Sequence, residues 1–270
     1  MLLTLDGRRI YFDLVGPEEA PVVLFSHSLA SDSGMWAEQL PPLLGAGFRV
    51  LRADMRGHGG SDPVKGDTTM AALAGDLARL LSTLGIERVH YVGLSIGGMI
   101  GQAFAFDHRQ RLLSALWSDT LPASPKGGEA AWAERQRIVK EAQSVAPLAD
   151  PTMERWFTEA FRARRPSRWK EIRDTVAATT AEGYLGATAA ILDFDFTARL
   201  PSLALPVLVV CGAEDQGTPP AENRRLSGLV PGARYEEIAG ARHFANVERE
   251  WAFNRILMEW LLSRRSPRPV

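Results

Sequence analysis

The sequence has few of the features that would tie it to disulfide bonds, membranes or secretion. Among its 270 residues there is one cysteine, Cys211, so no internal disulfide can form, and a reducing, cytoplasmic location is expected. No run of about 18 consecutive apolar residues is present, which predicts no membrane span. Residues 1–20 include acidic side chains but no basic segment leading into an apolar one, so we expect no secretory signal.

Charge of neither sign is in excess. The 31 Lys and Arg residues nearly balance 32 Asp and Glu residues, giving a net charge of −1, which argues against a general nucleic-acid-binding protein. No Cys and His residues have the spacing of metal ligands, so neither a metal nor another cofactor is predicted. The expected partner is therefore a small-molecule substrate, and the sequence sets no oligomeric state.

The most informative stretch lies near residue 95. Val89–Leu94 is a short apolar run rich in β-branched and aromatic residues, long enough for a buried strand and too short for a buried helix. It leads into Gly93-x-Ser95-x-Gly97, a pattern typical of a sharp strand-to-helix turn that exposes a nucleophilic serine. We predict that Ser95 is this nucleophile.

The surrounding chain alternates between strand-like and helix-like patterns. A hairpin is predicted over residues 2–6 and 9–15, and helices are predicted over about 35–45, 69–84 and 247–263. The predicted strands that follow the hairpin cover residues 22–25, 48–53, 89–94, 112–117, 206–211 and about 233–238. This alternation predicts an α/β fold with a mostly parallel, doubly wound sheet that binds ligands at the carboxyl ends of its strands.

The alternation breaks between about residues 121 and 190, a region that contains Trp132 and Trp156. Within it, residues 126–173 carry eleven basic and seven acidic side chains, a local charge of 11 − 7 = +4. We interpret residues 121–190 as a helical cap inserted into a core made of residues 1–120 and 191–270. The alternative is a solvated helical layer with no catalytic role.

A serine hydroxyl needs a general base within hydrogen-bond reach and an acid that orients the base. In the expected chain order of serine, acid and histidine, His108 and His243 follow Ser95, and His243 is better placed because it comes directly after the last predicted strand. We predict Asp215 as the acid, since it follows a buried strand. Glu214 and Asp119 are left open as alternatives.

Hydrolysis of an ester also needs donors for the oxyanion that develops on the substrate. The backbone N–H of Ile96 is one predicted donor, at the start of the helix after Ser95. The second is the backbone N–H of Leu29, in the loop that follows the strand at 22–25. Side chains of His27 or Ser28 are alternatives to Leu29, and His27 is predicted to line the substrate pocket.

Several motifs of this chain resemble those of the α/β-hydrolase superfamily in the same order: Gly93-Leu94-Ser95-Ile96-Gly97-Gly98, Gly212-x-x-Asp215 and Gly240-Ala241-x-His243. A narrower similarity is to 3-oxoadipate enol-lactonases. It is carried by His27-Ser28-Leu29 with Met35-Trp36, and in the cap by Arg155-Trp156-Phe157-Thr158. The resemblance implies the α/β-hydrolase fold with a cap.

The same resemblance implies opening of 3-oxoadipate enol-lactone to 3-oxoadipate, a reaction of the β-ketoadipate pathway of aromatic catabolism. It also implies that Trp132, Arg135 and Trp156 contact substrate, and a basic cap suits a lactone with a free carboxylate because Arg binds carboxylates bidentately. Two departures are His27 in place of the family's Asn and Ile96 in place of a common Met. Alternatives are a broad carboxylesterase with perhydrolase-like activity and a binding protein that has lost turnover.

Overall fold

The computed structural model describes residues 1–66, 68–124 and 126–264, and in this part of the chain eight strands form one sheet. Their order across the sheet is β1-β2-β4-β3-β5-β6-β7-β8. Pairing is antiparallel between β1 and β2 and between β2 and β4, and parallel elsewhere, which confirms the mostly parallel α/β sheet. The strands are β1 (Leu2–Leu5), β2 (Arg8–Val15), β3 (Val22–Ser26), β4 (Arg49–Ala53), β5 (Val89–Leu94), β6 (Leu112–Ser118), β7 (Val207–Gly212) and β8 (Arg234–Ile238).

The helices follow the apolar spacing of the sequence. They are α1 (Leu40–Gly45), α2 (Met70–Thr83), α3 (Ile96–Asp107), α4 (Glu129–Ala142), α5 (Ala149–Trp156), α6 (Glu159–Arg164), α7 (Pro166–Ala178), α8 (Ala181–Leu192), α9 (Pro220–Leu229), α10 (Ala245–Glu248) and α11 (Glu250–Leu262). Helix α2 begins where the Thr69 hydroxyl accepts a hydrogen bond from the Ala72 N–H, which satisfies one of its free donors. None of the helices in the described ranges is both long and apolar enough to cross a membrane.

The centre of the sheet is fully buried. Every residue of β3, β5 and β7 is buried, as expected for parallel strands that are covered on both faces. Helix α3 packs against β5 and β6, and α9 packs against β7 and β8. The carboxyl ends of β5, β6, β7 and β8 consequently meet at one edge of the sheet, where Ser95, Asp119 and Asp215 follow their strands.

The segment between β6 and β7 is helical. In the described residues it contains α4 to α8 and a 3-10 turn at Ala146–Leu148, and a bridge between Ala123 and Asp195 joins its two ends. We call α4 to α8, residues 129–192, the helical segment. Its division from the rest of the chain at residues 121 and 190 stays a prediction.

Two predicted helices are divided in the structure. Over residues 35–45 the chain forms a 3-10 helix at Ser33–Gln39 followed by α1, in which Pro41 and Pro42 occupy the first turn because they have no N–H to donate. The C-terminal helix is interrupted at Arg249, whose φ of −127° lies outside the helical range, so α10 and α11 are separate.

Candidate active site

Ser95 lies at the turn between β5 and α3 in a strained backbone conformation, with φ of 58° and ψ of −121°. The end of β6 holds this turn: the Ser95 N–H donates to the Ser118 carbonyl at 2.9 Å, and the Thr120 hydroxyl donates to the Ser95 carbonyl at 2.7 Å. A Cβ on Gly97 would lie 2.2 Å from the backbone oxygen of Ser26, so only glycine fits there. The turn therefore exists because the glycine permits close backbone contact.

Asp215 and His243 are brought together by the loops after β7 and β8. The Nδ1 of His243 is 2.8 Å from the Oδ2 of Asp215, and both side chains are buried. The Thr218 hydroxyl also donates to Oδ2 at 2.5 Å, and the Gly217 N–H donates to Oδ1 at 2.8 Å. These bonds fix the carboxylate so that its partner on the imidazole is Nδ1, which leaves Nε2 free for a proton from the substrate side.

The two groups shift each other's pKa. Burial opposes the charge on Asp215, but the contact and hydrogen bond with His243 outweigh it and lower the pKa of the Asp215 carboxyl. Burial likewise opposes the imidazolium form, yet the Asp215 carboxylate raises the pKa of His243 above its usual value. The site thus favours a positive charge on His243, as a general base requires when it accepts a proton.

These side chains line one cavity of about 270 Å³ between the sheet edge and the helical segment. Of the residues predicted from the sequence, the cavity wall contains Ser95, Asp215, His243, Leu29, Trp132, Arg135 and Trp156. In the described part of the chain the Ser95 hydroxyl makes no hydrogen bond to His243, although both face the cavity. The structure therefore assembles the predicted groups, and their catalytic roles stay predictions.

The predicted oxyanion donors are the backbone N–H groups of Leu29, which lines the cavity together with Ser95, and of Ile96, which follows Ser95 in the chain. Among the described residues, the N–H groups of Leu29 and Ile96 have no acceptor in the rest of the chain. Leu29 precedes Ala30, whose φ of 53° marks a tight turn, and the Ser28 hydroxyl is buried without a partner beside them. Two free N–H groups beside a serine can receive a developing oxyanion.

His27, which the sequence predicts to line the pocket, is a buried loop residue in the structure, and its contact with substrate stays a prediction. Its ring is fully buried, and it is not part of the cavity wall. The Met55 N–H donates to Nε2 at 2.8 Å, which places the proton on Nδ1, and Nδ1 donates to the Ser28 carbonyl at 2.8 Å. With both nitrogens occupied, His27 instead joins the loop after β3 to the loop after β4.

The alternatives to the predicted acid and base differ in position. Glu214 is exposed to solvent, and His108 packs with its ring 5.0 Å from that of Phe104, away from the cavity. Asp119, in contrast, is fully buried close to Asp215 and His243. His243 Nδ1 donates its hydrogen bond to the Asp215 carboxylate, which favours Asp215 as the acid.

In the described ranges, one group of side chains has ligand atoms close enough to hold a metal ion. It consists of Asp119, Asp215 and His243, whose ligand atoms lie within 4.8 Å of one another. Asp215 and His243 are already hydrogen-bonded directly, and Asp119 accepts a hydrogen bond from the Gly212 N–H. These donors are therefore engaged within the protein, and we assign no metal to them. That no metal or cofactor is needed stays a prediction.

The cavity wall contains a second arginine, Arg155 on α5, which was not predicted as a site residue. It is half-buried and donates to the Thr152 hydroxyl at 3.1 Å, while the guanidinium of Arg135 lies 4.8 Å from the centre of the Trp132 ring. Neither arginine forms an ion pair with the described residues. Burial, followed by the charge of Arg135, lowers the pKa of Arg155, so the two cations repel each other across the cavity.

A helical spacing in the sequence would have indicated this arginine. Thr152, Arg155 and Trp156 are three and four residues apart, which places them on one face of α5, and all three line the cavity. Tyr184 of α8 completes this wall, where burial raises the pKa of its hydroxyl to about 12. The part of the cavity wall that α5 and α8 form is therefore cationic and aromatic.

Comparison with known proteins agrees with this architecture. Residues 21–250 match the family model described as alpha/beta hydrolase fold. The chain is 30% identical over 263 residues to 3-oxoadipate enol-lactonase 1 of Acinetobacter baylyi, covering 97% of each chain. Among solved structures it is similar to the enol-lactonase from Burkholderia xenovorans LB400 (TM-score 0.92, 34% identity, 97% of this chain and 100% of that one) and to a malate-bound thermophilic esterase from Thermogutta terrifontis (TM-score 0.88, 28% identity, 98% and 97%).

Proposed function

Because the chain belongs to the α/β-hydrolase fold family, we propose that it is a serine hydrolase that opens a small lactone bearing a free carboxylate. The substrate we propose is 3-oxoadipate enol-lactone, which yields 3-oxoadipate, and the proposed setting is the cytoplasmic β-ketoadipate pathway. The observation that carries the proposal is the cavity whose wall contains Ser95 together with Arg135 and Arg155. The names of the relatives, enol-lactonases of two other organisms, support the same reaction.

In the proposed first step, Ser95 Oγ attacks the lactone carbonyl while His243 Nε2 takes the serine proton. The N–H groups of Leu29 and Ile96 hold the oxyanion, and Asp215 keeps the imidazole oriented through Nδ1. The ring C–O bond then breaks, and the leaving enol oxygen takes the proton from His243. The product of this step is an acyl-enzyme whose opened chain remains attached to Ser95.

In the second step water attacks the acyl carbonyl and gives a proton to His243. The bond to Ser95 Oγ breaks, and Ser95 recovers its proton from His243. The released acid carries the new carboxyl and the one already present, and its enol converts to the ketone. One water is consumed for each lactone, and no oxidation or reduction occurs.

The two arginines explain why a carboxylate-bearing substrate is proposed. A guanidinium presents a planar fork of N–H donors that matches a carboxylate, and hydrogen bonds between charged groups are stronger than neutral ones. Since neither arginine has a carboxylate partner in the described residues, an anionic ligand would supply one and relieve their mutual repulsion. Trp132 and Trp156 would cover the apolar part of the ring.

A second candidate is a carboxylesterase of broad scope with perhydrolase-like activity. Apolar side chains in the cavity wall favour it, because Met99, Leu121 and Ile191 can accept the alkyl part of a neutral ester. The similarity to the Thermogutta terrifontis esterase also supports this reading. The two candidates share the serine mechanism and differ in how strongly they depend on the substrate's charge.

A comparison of substrates tests the proposal. Steady-state hydrolysis of 3-oxoadipate enol-lactone is measured beside p-nitrophenyl acetate and a neutral γ-lactone under the same conditions. The proposal predicts a kcat/KM for the enol-lactone that is higher by about 100-fold, equivalent to about 2.7 kcal/mol of transition-state stabilisation. Equal rates on the neutral substrates, or no turnover of the enol-lactone, would favour the carboxylesterase instead.

A further inference from the structure

The buried carboxyl of Asp119 has no role in the mechanism above, although it lies beside the catalytic groups. Asp119 follows β6 with a φ of 47°, and its N–H donates to the Val210 carbonyl at 2.8 Å. Its Oδ1 accepts from the Gly212 N–H at 2.8 Å, and its Oδ2 accepts from the Ser118 hydroxyl at 2.6 Å. A left-handed backbone at a non-glycine residue costs free energy, so the position is held by these contacts.

Asp119 lies within reach of the imidazole that Asp215 orients. One carboxylate oxygen of each aspartate and a ring nitrogen of His243 all lie within 4.8 Å of one another. All three side chains are buried, so the interactions between their charges are weakly screened. The histidine thus has two carboxyl neighbours, one bonded to it directly and one close by.

The charge of Asp215 holds back the ionisation of its neighbour. Burial first, and then repulsion from Asp215, raise the pKa of Asp119 to about 8, while His243 acts in the opposite direction. Replacing Asp215 with the neutral, isosteric Asn removes this repulsion and leaves His243 as the facing charge, with the buried Cys211 thiol as the other titratable neighbour. Ionisation of Asp119 then becomes easier.

We propose that Asp119 is a positioning residue for His243, a second acid that stabilises the imidazolium when Asp215 cannot. The proposal rests on the proposed serine-hydrolase function. It means that the site carries two carboxyls able to support one histidine, at the ends of the neighbouring strands β6 and β7. Asp119 acts through His243 and does not touch substrate.

The test is a double-mutant cycle with Asp119→Asn and Asp215→Asn, measured as kcat/KM on p-nitrophenyl acetate. Asn keeps the shape of Asp and still accepts from the Gly212 N–H, so the fold should persist, and thermal melting checks this for each variant. Asp119→Asn alone should lower activity by no more than about 3-fold. Asp215→Asn should lower kcat/KM by about 100-fold. This loss is smaller than the roughly 10⁴-fold loss caused by the same Asp→Asn change in a serine protease whose histidine has a single carboxyl partner.

The deciding result is the effect of Asp119→Asn in the Asp215→Asn background. A reserve acid predicts a further loss of at least about 10-fold there, whereas a structural role predicts the same small factor in both backgrounds. Equal factors would overturn the proposal. If the double variant unfolds, Asp119→Ser replaces Asp119→Asn in both backgrounds, since it is smaller and retains an acceptor.

Ser95→Ala in the wild-type background separates this proposal from the proposed function. If Ser95→Ala retains full activity, the serine mechanism itself fails. If Ser95→Ala abolishes turnover while the two Asp119 factors are equal, the mechanism stands and the second acid alone is refuted.

Discussion

Replacing Arg155 with Met tests whether the cationic wall binds the substrate carboxylate. Met retains most of the length and apolar surface of the side chain but removes the guanidinium. Arg155 is half-buried, it lines the cavity with Ser95, and it has no carboxylate partner among the described residues. The change therefore removes a positive charge that no described side chain neutralises. In the proposed complex, the carboxylate of the substrate would neutralise it.

The size of the effect follows from the bond that is lost. A hydrogen bond to a charged group contributes about 1.5–3 kcal/mol, equivalent to about 10- to 150-fold in kcat/KM. We expect this loss for 3-oxoadipate enol-lactone and almost none for p-nitrophenyl acetate, which has no carboxylate. Most of the loss should appear as a higher KM, because the anchor binds substrate and transition state alike.

The stability of the variant gives an independent check. Burial and the charge of Arg135 lower the pKa of Arg155, so the folded state disfavours the charged form relative to the unfolded chain. Arg155→Met should consequently leave the melting temperature unchanged or raise it. A lower melting temperature would mean that Arg155 stabilises the folded state through other contacts.

The matched control is Arg162→Met on α6. Arg162 is exposed, its guanidinium lies 4.5 Å from the centre of the Trp169 ring, and it is outside the cavity wall. Arg162→Met removes the same charge from the same helical segment and should change the kinetics of neither substrate. Equal losses on both substrates in Arg155→Met, or equal losses in the two variants, would refute the carboxylate anchor.

Three further predictions concern the rest of the site. Arg135→Ala should raise KM for carboxylate-bearing lactones more than for neutral esters, and equal changes in steady-state assays would remove its proposed role. Gly97→Ala should lower the free energy of unfolding in urea by about 1–3 kcal/mol, because the added Cβ would lie 2.2 Å from a backbone oxygen. Gly45→Ala is the control and should not destabilise the protein, because the space around Gly45 is open. For ester hydrolysis, kcat/KM should fall as pH drops through the raised pKa of His243, giving an acidic midpoint above the ordinary value of 6.5, and a midpoint below it would contradict the Asp215 contact.

The nucleophile turn could be predicted because local sterics determine it. Gly97 touches the backbone after β3, a contact that excludes any side chain, and the apolar run of β5 gives the strand that leads into the turn. The positions of Asp215 and His243 followed from the same logic, since each comes after a strand whose end lies at the same edge. Short-range patterns and parallel topology were sufficient there.

The features that the sequence did not indicate are contacts between distant parts of the chain. His27 has a sequence position suited to the pocket, but the Met55 N–H, on a loop 28 residues away, occupies its second nitrogen. The spacing of Thr152, Arg155 and Trp156 places Arg155 on the cavity face of α5, but Arg135 lies on another helix, and no pattern within α5 indicates that the two like charges meet. Such pairings depend on how loops and helices meet in three dimensions, which periodicity does not encode.

The most direct test of the central claim is covalent labelling of Ser95. The protein is treated with a p-nitrophenyl phosphonate ester, and residual esterase activity and the mass of its peptides are followed together. Phosphonates mimic the tetrahedral intermediate of ester hydrolysis and become attached to an activated serine. The account predicts that activity is lost in proportion to one phosphonyl group per chain, carried by the peptide that contains Ser95, and that Ser95→Ala is neither labelled nor active. Inactivation with the label on another residue, or an active Ser95→Ala protein, would contradict it.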